Sequence, residues 1–393
     1  MNFQDVRKIL VIKLRHIGDV LLAVPVFRAL RDHFGAIHIS ALVNSGTEDV
    51  LMGNPLISEI LLFDRKVKGL SPVKRYLREI RFLKEVRTRG FDMTIDLTGG
   101  DRAAIISFVS GARYRLGWRP GKGFPGKKRL YTHLSLPEAE KHMVLQNLDV
   151  VSQFGIDTGN LSVDFHIPEK ERAFVRALLR AEKVAENEPL VHIHPTSRWL
   201  FKCWKDEYMA EVMGWLVNQG LKVVITSSLD PKEINKAKKI VSLVSDFTPA
   251  HNSALKKGGM GRLLDLCGKT SIKQLAAVSE SSTLFLGVDS APMHIAAAVG
   301  TPVVALFGPS GAFNWGPWDN GSSLSGVQSA VFKSPYCRRS GVQTFGIHTV
   351  IQREWGCIPC GSDGCEGTKI SKCLNDISPG EVMDVLRVKL EKH

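Results

Sequence analysis

Short apolar runs alternate along the chain with longer stretches whose apolar residues recur every three or four positions. Lys8 to Leu14 is such a run, followed by a loop at Arg15 to Asp19 and a helical pattern from Val20 to Phe34 that Gly35 closes. Further strands are predicted at His38 to Val43, Ile57 to Phe63 and Phe91 to Leu97, separated by helical stretches that include Pro72 to Arg89. Regular alternation of strand and helix predicts a parallel sheet.

After a helix near Glu140 to Gln153, the segment Ile167 to Glu188 reads as a helical connector, and the pattern then restarts. Strands are predicted at Leu190 to His194, Leu221 to Thr226, Thr283 to Val288 and Pro302 to Phe307, with helices near Lys205, Pro231, Ser271 and Ala291. Ser378 to Lys392 reads as a terminal helix with Ser378 as its N-cap and Pro379 in its first turn. The expected organisation is an α/β chain of two Rossmann-like domains, 1–167 and 168–377, with a terminal helix over 378–393 packing on them. Two such domains facing one another make a cleft walled by the carboxyl ends of both sheets, where open α/β folds place ligands.

A length of 393 residues agrees with two cores rather than one. The first residues lack the apolar run of a secretory signal, because Lys13, Arg15, His16 and Asp19 interrupt them, so a cytoplasmic location is expected. No stretch of about 18 apolar residues is present, so any membrane contact is expected to be peripheral. The charge is uneven. Between Arg65 and Leu130 there are 18 Lys or Arg and 5 Asp or Glu, which matches the net charge of +13 for the whole chain. Such a patch attracts polyanions or an anionic leaflet, or it is a solvated basic face.

Candidate chemistry sits where strands end. Gly18 turns the chain after the first strand and leaves Asp19 at a helix start, where a carboxylate is either a cap or a general base. The loop is not the glycine fingerprint of dinucleotide binding. Pro195 to Trp204 combines hydroxyls, two cations and two tryptophans in the manner of a phosphate-binding loop, although a surface loop pinned by Trp packing would look the same. Gly287 to His294 opens a helix with small residues whose free amides can hold an anionic oxygen. Val303 to Ser310 is a buried strand ending in a Gly-Pro turn.

Three segments, KILVIKLRHIGDVLLAVPVFRALR, HIHPTSRWLFKCW and FLGVDSAPMHIAAAVGTPVVALFGPSG, together resemble the signatures of the lipopolysaccharide heptosyltransferases, glycosyltransferase family 9. The apolar, Trp-containing loop at 198–202 is most similar to the branch that adds the third heptose; heptosyltransferases I and II, acting earlier on the core, are the alternative. The resemblance implies a glycosyltransferase B-type fold and transfer, with inversion, from ADP-heptose onto the lipopolysaccharide core and lipid A acceptor. It implies that Asp19 is the catalytic base and that Thr196, Ser197 and Lys202 hold the pyrophosphate. Lys202 would offset charge on the leaving group. It further implies that Asp289 meets the heptose hydroxyls, that the amides of Ser290 and Ala291 meet phosphates, and that Glu233 contacts the ribose. His294 either orients a phosphate or faces the core. The chemistry so implied requires no cofactor, and a divalent cation is left open.

Arg102, Arg115 and Arg119 are the candidate acceptor contacts, because a guanidinium suits phosphate and carboxylate. The run Lys127-Lys128-Arg129 reads as diffuse attraction to the inner leaflet. Cys357, Cys360, Cys365 and Cys373 offer four thiols, but their spacing is irregular for a zinc ribbon, so reduced thiols are favoured over structural zinc. The chain is expected to act as a monomer at the cytoplasmic face of the inner membrane. Nucleic-acid binding is disfavoured because no helix-turn-helix, finger or aromatic RNA-binding signature accompanies the charge. A nucleotide-sugar epimerase of the same architecture would need no membrane-facing patch, and a silent paralogue would not need both Asp19 and Lys202.

Overall fold

The computed structural model describes residues 3, 5–64, 71–185, 188–248, 263–321, 333–337 and 341–391. Arg65 and the rest of the basic stretch to 70, two residues of the predicted connector, and Lys392 lie outside them. The chain divides into two compact units, Met1–His166 with Ser323–Lys333, and Ile167–Ser322 with Ser334–His393.

In the first unit the order is β1 (Lys8–Lys13), α1 (Ile17–Leu21), α2 (Val24–Phe34), β2 (His38–Asn44), β3 (Glu59–Phe63), α3 (Pro72–Thr88), β4 (Met93–Asp96), α4 (Asp101–Val109), β5 (Tyr114–Trp118), β6 (His133–Ser135) and α5 (Met143–Ser152). The strands form one sheet in the order β3-β2-β1-β4-β5-β6, parallel throughout. β1 lies at its centre, with Val11 in register with Ala41 on one side and Ile95 on the other. Leu10 and Ile12 pack with Leu42, Val86, Phe91 and Ile106 to form a core. Burial of each such side chain contributes roughly 1.5–3 kcal/mol.

The helix expected over Val20 to Phe34 is instead two helices, broken at Leu22 and Ala23. Pro25 has no N–H to offer the Leu21 carbonyl, so the helical ladder stops and restarts with the proline in the first turn. Gly35 closes α2 at φ +70, with its N–H on the Arg31 carbonyl at 2.8 Å. β5 and β6 are additional to the predicted strands. Arg115 and Gly117 break the apolar run of β5, and β6 has only three residues.

The second unit runs α6 (Glu169–Ala181), β7 (Leu190–His194), α7 (Asp206–Asn218), β8 (Lys222–Ser227), α8 (Pro231–Leu243), β9 (Leu263–Cys267), α9 (Ile272–Glu280), β10 (Leu284–Val288), α10 (Ala291–Ala298), β11 (Val303–Phe307), α11 (Ala312–Trp315), β12 (Val342–Phe345), β13 (His348–Gln352), α12 (Lys372–Asn375) and α13 (Pro379–Leu390). Its seven strands lie in the order β12-β13-β11-β10-β7-β8-β9, with β12 antiparallel to β13 and the rest parallel. β9, β12 and β13 are also additional to the predicted strands. Gly287 allows β10 to lie close to β7: a Cβ there would come within 2.6 Å of the Phe285 ring and 3.0 Å of the His194 carbonyl. α13 begins with a capping box between Ser378 and Glu381 and packs on α7, placing Val382 and Leu386 beside Met213 and Leu216.

Candidate functional site

In the first unit the connections reverse direction between β1 and β4, and the loops leaving these strands hold each other. The Leu14 N–H donates to Thr98 Oγ1 at 2.8 Å, and the Arg15 guanidinium to the Thr98 carbonyl at 3.0 Å. Asp19, half-buried, stands in the first turn of α1 directly after this loop. Behind it lies a residue the sequence reading did not single out. Lys13 is buried and donates to the Leu97 carbonyl at 3.0 Å and to Asn147 Oδ1 at 2.8 Å. Burial lowers the Lys13 pKa to about 8, and the Asp19 carboxylate acts in the opposite direction. Asn147 also donates to the Leu22 carbonyl at 3.0 Å, which ties the cation to the break between α1 and α2.

Buried Asp96, at the end of β4, accepts from the Tyr131 hydroxyl at 2.6 Å and from the N–H groups of Thr98 and Gly99. Its pKa is raised by burial, against which those hydrogen bonds work.

The three candidate acceptor arginines have different surroundings. Exposed Arg102 lies over the Phe63 ring at 4.9 Å and pairs with Glu79 at 3.4 Å. It lines a cavity of about 460 Å³ with Arg75, Arg78, Arg81, Phe63 and Phe82. Arg115 uses its guanidinium on the carbonyls of Leu130 and Ala112, at 2.7 and 2.6 Å. Arg119 is exposed. The run Lys127-Lys128-Arg129 is corrected in one member. Lys127 is 4% exposed, donates to the Gly99 carbonyl at 2.8 Å and pairs with Asp101 at 3.0 Å, because its turn folds onto α4. Only Lys128 and Arg129 face solvent.

In the second unit β7 is flanked by β8 and β10, so the loop after it meets the ends of both neighbours. Toward β8, the buried Thr196 hydroxyl donates to Glu233 Oε2 at 2.8 Å. Toward β10, Lys202 Nζ donates to Asp289 Oδ2 at 2.6 Å, and the Ser310 hydroxyl, beyond β11, donates to the same oxygen. Four of the predicted donor residues are thus joined in two pairs. Ser197 is buried beside them, Ser290 is the N-cap residue of α10, Ala291 opens that helix and His294 is buried within it.

Sequence reasoning missed the polar chain beneath this loop. His192 contacts Ser279 Oγ at 2.9 Å and Thr226 Oγ1 at 2.8 Å, while His194 contacts Thr226 Oγ1 at 2.8 Å. Burial lowers both histidine pKa values, that of His194 to about 3, so both are neutral at pH 7. The strand pattern HIH marks these side chains as inward-facing, but only the sheet order identifies Thr226 as their partner.

The cysteine-bearing tail was also missed as a brace. The Cys360 N–H donates to the Pro309 carbonyl at 3.0 Å, Ser371 Oγ to the Phe201 carbonyl at 2.6 Å, and the Trp204 indole to the Ile377 carbonyl at 3.1 Å. The tail therefore holds the loops after both β7 and β11. Cys357 and Cys360 are exposed, Cys365 is half-buried and Cys373 is buried. Among the described residues no three His, Cys, Asp or Glu side chains gather as a metal-binding group. No helix among them is long and apolar enough to cross a membrane.

The profile of glycosyltransferase family 9 (heptosyltransferase) matches residues 79–335. Lipopolysaccharide heptosyltransferase 3 of Escherichia coli K12 is 29% identical over 306 residues, covering 78% of this chain and 83% of the relative. A family 9 glycosyl transferase structure from Veillonella parvula superposes with a TM-score of 0.74 at 21% identity, covering 98% of each chain. The structure of E. coli ADP-heptose lps heptosyltransferase II does so at 0.69 and 18%, covering 98% of this chain and 99% of that one.

Proposed function

The chain belongs to glycosyltransferase family 9, and from that premise we propose that it transfers L-glycero-D-manno-heptose from ADP-heptose to the inner core of lipopolysaccharide, as the third, branching heptose. The observation that carries this is the cluster at the carboxyl edge of the second sheet, where Lys202, Asp289, Ser310, Thr196 and Glu233 converge from four strand ends. The 29% identity to a heptosyltransferase 3, against 22% to the heptosyltransferase 2 of the same strain, favours the branching position.

Lys202 meets the pyrophosphate and offsets the charge that develops as ADP leaves. A pyrophosphate offers the ammonium two charged oxygens in place of the Asp289 carboxylate, which is then released to bind heptose hydroxyls. The amides of Ser290 and Ala291, at the start of an eight-residue helix, and the hydroxyls of Thr196 and Ser197 bind the remaining oxygens. Glu233 binds the ribose, and His294 orients a phosphate. Asp19 takes the proton from the acceptor hydroxyl as that oxygen attacks C1, the C1–O bond to ADP breaks on the opposite face, and the configuration inverts.

Arg102, Arg115 and Arg119 serve the phosphates and acidic sugars of the acceptor, Arg102 from the lining of the basic cavity. The protein works as a monomer at the cytoplasmic face of the inner membrane. The reaction so drawn runs without a metal or cofactor.

The test is ADP release from ADP-heptose with core acceptors carrying none, one or two heptoses. Release with the two-heptose acceptor alone supports the branching position, and activity on a shorter acceptor moves the enzyme earlier. Release with none of them overturns the reading.

A further inference from the structure

α3 packs its apolar side chains on its unit along only part of its length. Its second half is anchored by buried Val86 and by Phe82 and Leu83, which pack on the core. Its first half lies on the surface of the unit, where every residue from Ser71 to Arg78 is exposed and Arg78 pairs with Asp64 at 2.8 Å. Val73, Tyr76, Leu77 and Ile80, at spacings of three and four, are 68%, 66%, 60% and 43% exposed. These spacings put them on one stripe of the helix. The helix also carries six Lys or Arg against two Glu. The side chains of Lys74, Arg75, Arg81 and Lys84 have no hydrogen-bond or ion-pair partner among the described residues. α4, which packs on α3, adds exposed Ile105 and Phe108.

A helix half whose apolar stripe faces outward gains nothing from the fold that carries it. Contiguous exposed apolar surface of this kind marks a docking face. The flanking charge decides what docks. A stripe of three aliphatic side chains and one tyrosine finds little matching apolar surface along a nucleic-acid backbone, and an acidic protein surface would pair the cations but would have to match this particular stripe. An anionic bilayer surface satisfies both groups at once, with apolar side chains below the headgroups and Lys and Arg among the phosphates.

We propose that the first half of α3 lies in the surface of an anionic bilayer, with Val73, Tyr76, Leu77 and Ile80 inserted and Lys74, Arg81 and Lys84 on the headgroups. This deepens the proposed function, resting on it only in taking the acceptor to be a membrane glycolipid. Docking along α3 would hold the first unit at the surface in which that acceptor is embedded.

The experiment is co-sedimentation of the purified full chain with phosphatidylcholine vesicles, with or without phosphatidylglycerol, in the absence of donor and acceptor. The chain should bind the anionic vesicles and not the neutral ones. V73S/Y76S/L77S/I80S and K74E/R81E/K84E should each weaken binding at least about tenfold near 0.15 M salt. Because all seven residues are exposed, thermal unfolding of both variants should match the parent and exclude misfolding. Three outcomes overturn the proposal: failure of the parent to bind, equal binding to neutral vesicles, and undiminished binding by the apolar variant, which would leave only a solvated basic face. A single-stranded RNA that binds more tightly than the vesicles and is insensitive to the apolar variant also overturns it. A final arm separates docking from the proposed reaction. With a deacylated, water-soluble acceptor the apolar variant should turn over at the parent rate, and a loss there would place these residues in the acceptor site instead.

Discussion

Lys202 and Asp289, 87 residues apart in the chain, meet with Nζ 2.6 Å from Oδ2. They meet because β7 and β10 are neighbours, so the loops leaving the two strands emerge side by side. Ser310 joins the same carboxylate from the next strand, β11. An ammonium so held is positioned before a phosphate arrives, which lowers the cost of organising it in the transition state.

Lys202→Met should therefore lower kcat by about 10²–10³-fold, the range found when one charge-stabilising donor is removed. Ser310→Ala, which leaves the ammonium in place, should cost less. Steady-state ADP release measures both, and equal effects would mean that Lys202 only anchors the loop.

Asp19→Asn keeps the size of the side chain and removes its basicity, so kcat should fall by about 10²–10⁴-fold. Every nucleotide-contacting residue proposed here belongs to the second unit, so ADP affinity by calorimetry should be unchanged. Weakened ADP binding would assign Asp19 to the donor rather than to the acceptor.

His194 predicts a pH dependence of stability. Its pKa is lowered by burial to about 3 in the folded protein, so between its unfolded value near 6.5 and pH 3 the unfolded chain binds more protons. Stability is fully present above pH 6.5 and is lost as pH falls toward 3. The loss reaches roughly 2 kcal/mol by pH 5. His194→Gln, which does not titrate, should flatten that slope relative to the parent in thermal melts between pH 7 and 5. An unchanged slope would mean that other groups carry it.

Ser371 holds the donor loop from 170 residues away through its 2.6 Å bond to the Phe201 carbonyl. Ser371→Ala removes about 1 kcal/mol of restraint and should raise the donor KM up to about fivefold, with kcat little changed. A fall in kcat at constant KM would show instead that the tail acts on the chemical step.

Much of this protein was legible one residue after another. β7, β10 and β11 are buried along their whole length, so they read as unbroken apolar runs, and their carboxyl ends mark where ligand-binding residues should lie. Thr196, Lys202 and Asp289 stand just past those ends and Asp19 past the end of β1, while the roles expected of them came from the resemblance of their segments to the family signatures. The split of Val20 to Phe34 was less visible, because Pro25 interrupts a ladder whose apolar spacing continues across it. β6 has only three residues, and His348, Thr349 and Gln352 interrupt the apolar run of β13, so neither pattern stands out.

Partnership was decided by the tertiary structure. Nothing local to Thr196 announces Glu233, and nothing local to Lys202 announces Asp289, since each pair exists only because β7 lies between β8 and β10. Lys127 and Lys128 are adjacent and chemically identical, yet one is buried on Gly99 and Asp101 while the other faces water. Pattern and composition act through periodicity along one element, so they determined which residues are apolar, charged or at strand ends. Which of them meet depends on strand order and on the turn that carries each side chain back to the fold, a choice settled by packing among distant parts of the chain.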